Sequence, residues 1–213
     1  MTYFYIDTSS SYLYSGIVKD GKVLAEIKQD FNKELSKYTV SEIEKLFKES
    51  NLKPIDIDKI IVVAGPGSFT GIRIGMTFAK IFAWSYSIDI TTITSLEAMQ
   101  ASINSKKVLV PLIDARRGYV YAGVYKNGKV LLKDQYIELL KLEDFLNNLG
   151  EDYFYITNDK KFTYENKFGY NPDILNITMM YKDNKAINPH LVEPIYLKLT
   201  EAEENLGSMI YDN

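Results

Sequence analysis

The sequence of 213 residues contains no cysteine and a single histidine, His190. Disulfides, thiol nucleophiles and cysteine-ligated zinc are therefore excluded. A zinc site built around one histidine would need mostly carboxylate ligands, which is an uncommon ligand set. No catalytic motif surrounds His190, so a Ser–His–Asp arrangement has no support either. We therefore predict no metal site and no catalytic residue of these classes.

An excess of charge and a long apolar run are also missing. The formal net charge is -3 and the pI is about 5.4, so no strong global field attracts nucleic acid or an anionic membrane. No apolar run has the length of a membrane span, and Asp7 lies where a signal peptide would need its apolar core. We expect a cytoplasmic protein without a membrane partner. Since 46% of the residues are hydrophobic, the chain can build a sizeable core.

The order of predicted elements indicates a duplicated α/β fold. Three strands, a helix, a strand, a helix and a strand occupy the first half, and strand, turn, hairpin, helix and strand then recur. We predict a first subdomain over 1–103 and a reduced second subdomain over 104–213. A short helix is expected over 200–211, from where it could pack back on the first subdomain. Residues 157–190 carry few periodic signals.

A glycine-rich stretch, Gly65 to Gly75, follows a β-branched run at 60–64 and leads into a helix that ends near Tyr86. A glycine turn before a helix N-terminus is suited to an anion, which makes Gly67 and Ser68 candidate phosphate contacts. However, the spacing matches neither the P-loop nor the dinucleotide fingerprint. The alternative is a turn shaped for packing.

Small residues recur along this helix at every fourth position, from Gly71 to Ala83. Such a spacing places them on one ridge. Glycine in a helix costs roughly 1 kcal/mol relative to alanine, so the ridge predicts close approach of another backbone. That backbone could belong to this chain or to another subunit, and periodicity does not decide between the two.

Two polar turns are further candidates. Asp7 and Ser9 end the first strand, where they could hold a hydrated magnesium ion and a phosphate or serve only as turn residues. Arg116 and Arg117 follow Asp114 in the corresponding turn of the second half. Adjacent arginines could clamp a phosphate, pair with carboxylates, or remain solvated.

Four segments resemble the TsaB (YeaZ) family: Ile6 to Ser9, Gly65 to Gly75, Ile113 to Tyr121, and Pro194 to Lys198, the last with lysine in place of the family's arginine. The resemblance implies an actin-like ATPase (ASKHA, ribonuclease H-like) fold of two duplicated subdomains. It also implies an accessory subunit of bacterial tRNA threonylcarbamoyladenosine synthesis. Such a subunit pairs with a TsaD-type catalytic paralogue, and a TsaE-type ATPase joins the complex.

The catalytic paralogue carries an H-x-x-x-H metal motif, and the similar positions here are Ser95 and Met99. The resemblance therefore implies a chain without a complete catalytic or metal site, without a cofactor of its own, and in contact with tRNA only through the complex. ATP or ADP could bind at the junction with the partner, and the chain could form a homodimer when alone. The implied partner contact consists of Gly71, Ile72, Gly75, Met76 and Ala79.

Two other readings remain open. The first is an autonomous ATP-dependent phosphotransferase of the same fold, with Asp7 and Asp114 around Mg-ATP. It would need an adenine pocket, and no Gly-Gly adenosine motif follows residue 140. The second is a metallopeptidase, which the single histidine makes the least favoured.

Overall fold

The computed structural model describes residues 1–32 and 34–198. Its first half is a five-stranded sheet in the order β3-β2-β1-β4-β5, in which β1 is antiparallel to β2 and parallel to β4. The strands are β1 (Thr2–Asp7), β2 (Tyr12–Lys19), β3 (Lys22–Asp30), β4 (Lys59–Val63) and β5 (Asp89–Ile93). The helices are α1 (Leu35–Ser50), α2 (Phe69–Tyr86) and α3 (Ser95–Ala101).

The second half repeats this plan, with the order β8-β7-β6-β9-β10. Its elements are β6 (Val108–Asp114), β7 (Tyr119–Lys126), β8 (Lys129–Glu138), α4 (Leu139–Leu149), β9 (Tyr153–Ile156), β10 (Lys167–Phe168) and α5 (Ile174–Tyr181). In each sheet the central strand has an antiparallel hairpin strand on one side and a parallel strand on the other, and a further parallel strand follows at the edge. The matching orders confirm a duplicated α/β fold, and the two-residue β10 marks the second copy as reduced.

The two hairpins close through the same turn chemistry. Asp20 and Gly21, and then Asn127 and Gly128, all have positive φ. Asp-Gly and Asn-Gly tolerate this conformation, which matches the twist of the flanking strands. Both dipeptides are hairpin signals that can be recognised in the sequence.

The central strand β1 is buried along its whole length because helices cover both faces of the first sheet. On one face Phe4 and Ile6 pack with α1 and α2, through residues such as Leu46 and Ile72. On the other face Tyr5 packs with α3 and α5. Helix α3 in turn contacts the second sheet through Leu96 and Met99, which cluster with Leu109 and Ile156. The short helix α3 thus lies between the two sheets.

Residues 174–195 return from the second half to the first sheet. Helix α5 packs on β1 and β2, and Ile195 N–H donates to the Ala64 carbonyl at 2.8 Å. The buried Lys59 Nζ donates to the carbonyl oxygens of Lys182, at 2.8 Å, and of Asn184, just after α5. No pattern in the sequence indicates this return. The boundary at 103/104 stays a prediction, and the helix expected over 200–211 lies outside the described residues.

Candidate functional site

The glycine-rich turn is joined directly to the turn after β1. Ser68 N–H donates to the Ser9 carbonyl at 2.7 Å, and Ser68 Oγ caps α2 by accepting from Gly71 N–H at 3.2 Å. A Cβ at Gly67 would collide with the Ser9 carbonyl oxygen. The glycine is therefore needed for close approach of the two turns, as the packing alternative requires.

The small-residue ridge of α2 packs on Thr8 of the same chain. Thr8 Oγ1 donates to the Gly71 carbonyl at 2.7 Å and accepts from Gly75 N–H at 3.0 Å. A Cβ at Gly71 would overlap the Thr8 carbonyl oxygen, and one at Gly75 would overlap Thr8 Oγ1. The backbone that approaches the ridge is thus β1 and its turn.

The residues of the predicted partner contact lie in this packing. All five are buried within the single chain: Gly71, Ile72, Gly75, Met76 and Ala79. A second protein could not touch their side chains without opening the core. The periodicity identified a real close contact, but the contact is internal.

The opposite side of α2 exposes large apolar side chains among polar ones. Ile81 and Trp84 are 58% and 64% exposed, and Val40 on α1 is 62% exposed. Between the two helices runs a groove of about 600 Å³ whose apolar lining includes Val40, Phe47, Phe78, Phe82 and Tyr86. We call this surface the α1–α2 face.

A cleft of about 940 Å³ separates the two sheets. Of the predicted phosphate contacts, Ser9, Gly67 and Ser68 line its wall, together with Asp114 from the second half. Arg116 and Arg117 are exposed on the turn between β6 and β7 and are not part of the lining. The structure therefore brings together three of the six predicted contacts.

Asp7, the fourth, lies beneath the cleft and is 2% exposed. Burial raises the pKa of its carboxyl, against a lowering effect of hydrogen bonds that include one from Ser9 N–H at 2.8 Å. The buried hydroxyls of Tyr5 and Tyr170 lie nearby and act on this carboxyl. This carboxyl is positioned as the centre of a buried polar cluster and not as an open cation ligand.

Asp114 is engaged by neighbouring groups. It forms an ion pair with Lys161 and accepts from Arg116 N–H at 2.8 Å, while its own N–H donates to Asp159 at 2.7 Å. Partial burial acts to raise the pKa of Asp114, but these hydrogen bonds and the nearby positive charges outweigh it and lower the pKa. The carboxylate is therefore held ionised at the cleft wall.

The positions compared with the metal motif serve packing. Ser95 Oγ donates to the Pro66 carbonyl at 2.7 Å, which ties α3 to the glycine turn, and Met99 is buried. His190 is exposed, with its ring 6.2 Å from that of Trp84. Within the residues that the structure describes, no group of three His, Cys, Asp or Glu is placed to hold a metal ion.

A second carboxyl cluster, half-buried, was not predicted from the sequence. The side chains of Thr94 and Tyr125 both donate to Asp134 on β8, and Thr94 and Glu97 form the capping box of α3. Burial is the main cause that raises the pKa of both Asp134 and Glu97. The capping box can be recognised in the sequence, but the contact of Thr94 with Asp134 on β8 cannot. This cluster links α3 to the second sheet.

Comparison with known proteins now identifies the chain. The family model described as TsaD, tRNA N6-adenosine threonylcarbamoyltransferase, matches residues 24–170. The tRNA threonylcarbamoyladenosine biosynthesis protein TsaB of Bacillus subtilis is 35% identical over 95% of this chain and 96% of its own length. The TsaB of Buchnera aphidicola is 26% identical over 87% of this chain and 90% of its own length.

The solved structures agree with the observed architecture. A Pseudomonas aeruginosa protein, described as uncharacterised with similarity to the peptidase YeaZ, superposes with a TM-score of 0.79 at 16% identity. The match covers 92% of this chain and 99% of that one. None of the helices in 1–32 and 34–198 combines the length and apolar character that a membrane span needs. The fold is the duplicated two-sheet α/β fold that was expected, and the chain belongs to the TsaB (YeaZ) family.

Proposed function

We propose that this chain is a non-catalytic accessory subunit in tRNA threonylcarbamoyladenosine biosynthesis, and that it pairs with a TsaD-type transferase. The observation that carries the proposal is the 35% identity, over nearly the full length of both chains, to a relative that is named for that pathway. The match to the TsaD family model is consistent with pairing between related folds.

We assign the pairing to the α1–α2 face. Val40 lines the apolar groove between α1 and α2, and Ile81 and Trp84 are large apolar side chains of α2 that are more than half exposed. Exposed apolar surface commonly marks a protein interface. Trp84 would supply much of the binding energy if a partner buried it, as aromatic anchors do. The exposed side of α2 thus takes the role first predicted for its buried ridge.

The proposal is tested by light scattering after size exclusion, with the chain alone and mixed with a TsaD-type paralogue from the same organism. We expect a 1:1 complex for the wild type. Ile81→Arg and Trp84→Arg should abolish it, since each places a charge in the apolar contact. Leu140→Arg is the matched control, because Leu140 is 72% exposed on α4 in the other half. Failure of the wild type to pair, with or without ATP, would refute the proposal.

When the transferase is absent, two copies of this chain would pair through the same face. The mass of the isolated protein in light scattering tests this. ATP or ADP would bind only at the junction with the partner, with Ser9, Gly67 and Ser68 on the cleft wall as its nearest contacts in this chain. A TsaE-type ATPase would join the assembled pair, and tRNA would bind to the complex. Calorimetric titration of nucleotide into the isolated chain and into the pair separates these arrangements.

A further inference from the structure

The turn between β6 and β7 displays two consecutive arginines in an unusual backbone conformation. Arg116 has φ 66° and Arg117 has φ 52°, in the left-handed region that residues other than glycine seldom adopt. Three backbone hydrogen bonds hold the turn, including one from Leu139 N–H to the Gly118 carbonyl at 2.8 Å. The two exposed arginines are therefore presented on a fixed frame.

In the part of the chain that the structure describes, no carboxylate lies within ion-pair distance of either guanidinium group, although Arg116 is close enough to Asp114 to help lower its pKa. Asp114, the nearest acidic residue along the chain, forms its ion pair with Lys161, and neither Arg116 nor Arg117 forms one. Lys160, on the wall of the adjoining cleft, is likewise outside these ion pairs. The chain carries a formal charge of -3 as a whole, so this turn is a local concentration of positive charge.

Three tyrosines continue from the turn along the two strands. The rings of Tyr119 and Tyr136 are stacked, with centroids 4.5 Å apart, and Tyr121 lies 5.7 Å from Tyr136. Lys198 Nζ lies 5.3 Å from the centre of the Tyr136 ring. All three tyrosines are half-buried, and Tyr121 also lines the cleft. Half-buried rings keep a fixed orientation while part of each stays open to a ligand.

We propose that this surface, formed by Arg116, Arg117, Tyr119, Tyr121, Tyr136 and Lys198, binds a single-stranded stretch of RNA. The guanidinium group of arginine matches the geometry of a phosphate. Unpaired bases stack on tyrosine rings and interact with nearby cationic side chains. An acidic protein surface would use the arginines but would have no need of the adjacent rings. That the ligand is RNA rests on the proposed role in tRNA modification. The inference adds to that role the surface of this chain that contacts the RNA.

The test measures the affinity of a fluorescently labelled tRNA anticodon stem–loop by anisotropy, for the full chain alone and for its complex with the transferase. We expect Arg116→Ala/Arg117→Ala to weaken binding about tenfold, and to reduce the slope of log K against log salt by about 1 for each phosphate that is no longer neutralised. Lys19→Ala/Lys22→Ala is the control, since it removes the same charge from an exposed hairpin. Tyr136→Ala should weaken binding while Tyr136→Phe, which keeps the ring, should not.

The outcomes separate this inference from the proposed function. RNA affinity that falls equally in the arginine and lysine variants would overturn it, because only total charge would then matter. Loss of pairing with the transferase in the arginine variant would also overturn it, by placing the arginines against an acidic protein. A selective loss of RNA affinity with normal pairing supports it. If the wild-type chain itself does not pair with the transferase, and the arginine variant still shows the selective loss of RNA affinity, the RNA surface is supported and only the subunit role is refuted.

Discussion

The packing of α2 on Thr8 makes a prediction in which one destabilising change rescues another. In Gly75→Ala the new methyl group overlaps Thr8 Oγ1, while its next contact, Thr8 Cβ, lies at an ordinary 3.4 Å. Overpacking of this kind costs about 1–3 kcal/mol. Disturbing the two hydrogen bonds of Thr8 Oγ1 adds about 1 kcal/mol, and alanine returns about 1 kcal/mol of helix propensity. We expect a net destabilisation of about 2 kcal/mol.

Thr8→Ala removes the atom that the new methyl group strikes. Alone it should cost about 1.5 kcal/mol, because two hydrogen bonds are no longer made. Combined with Gly75→Ala it should cost only about 0.5 kcal/mol, because the overlap is gone and the helix gain of about 1 kcal/mol remains. Independent effects would sum to about 3.5 kcal/mol, so the double-mutant cycle should show about 3 kcal/mol of favourable coupling.

Urea unfolding at constant m value measures all four corners of the cycle. Gly71→Ala is the matched contrast, since its methyl group would overlap the Thr8 carbonyl oxygen, which Thr8→Ala leaves in place. It should therefore stay destabilised in the Thr8→Ala background. Additive free energies for Gly75→Ala and Thr8→Ala, or a Gly75→Ala variant as stable as wild type, would refute the reasoning.

Two further changes test the contacts between the halves. Lys59→Met should lower the free energy of unfolding by about 2 kcal/mol, because two carbonyls after α5 are left without a charged donor. Lys22→Met, on an exposed hairpin, should change it by less than about 0.5 kcal/mol in the same urea titration. Asp134→Asn should flatten the dependence of Tm on pH. The folded-state pKa of Asp134 is raised mainly by burial, so the folded chain binds more protons and stability falls as pH rises from about 4 through that raised pKa. As the pH is lowered, the Tm of the wild type should therefore rise relative to that of the variant. Parallel profiles of Tm against pH would contradict this.

Local chemistry made much of the fold predictable. Alternating strands and the Asp20-Gly21 and Asn127-Gly128 turns specified the hairpins, and their recurrence specified the duplication. The packing of residues 174–195 on the first sheet was not predicted, because contacts with distant strands determine it. Ile174 and Lys59 meet their partners only in the folded chain, and no periodicity within either segment records those meetings.

The site was predicted only where neighbouring strands end at the same edge. Ser9, Gly67 and Ser68 meet there because parallel β1 and β4 bring their turns together. The small-residue ridge indicated a close approach without naming the approaching group, since the same spacing suits a subunit or the chain's own Thr8. The link from Thr94 to Asp134 joins residues 40 positions apart, which one sequence does not reveal.

The return of residues 174–195 has a consequence for synthesis on the ribosome. When residue 103 has been made, the first sheet has all its strands, but the face with Tyr5 and Val18 still lacks α5 as its cover. At about 5–20 residues per second, residue 195 follows roughly 5–20 s later. Throughout that interval the nascent chain exposes an apolar sheet face of the kind that chaperones bind. Completion of the amino-terminal half therefore waits until residues 174–195 have been translated.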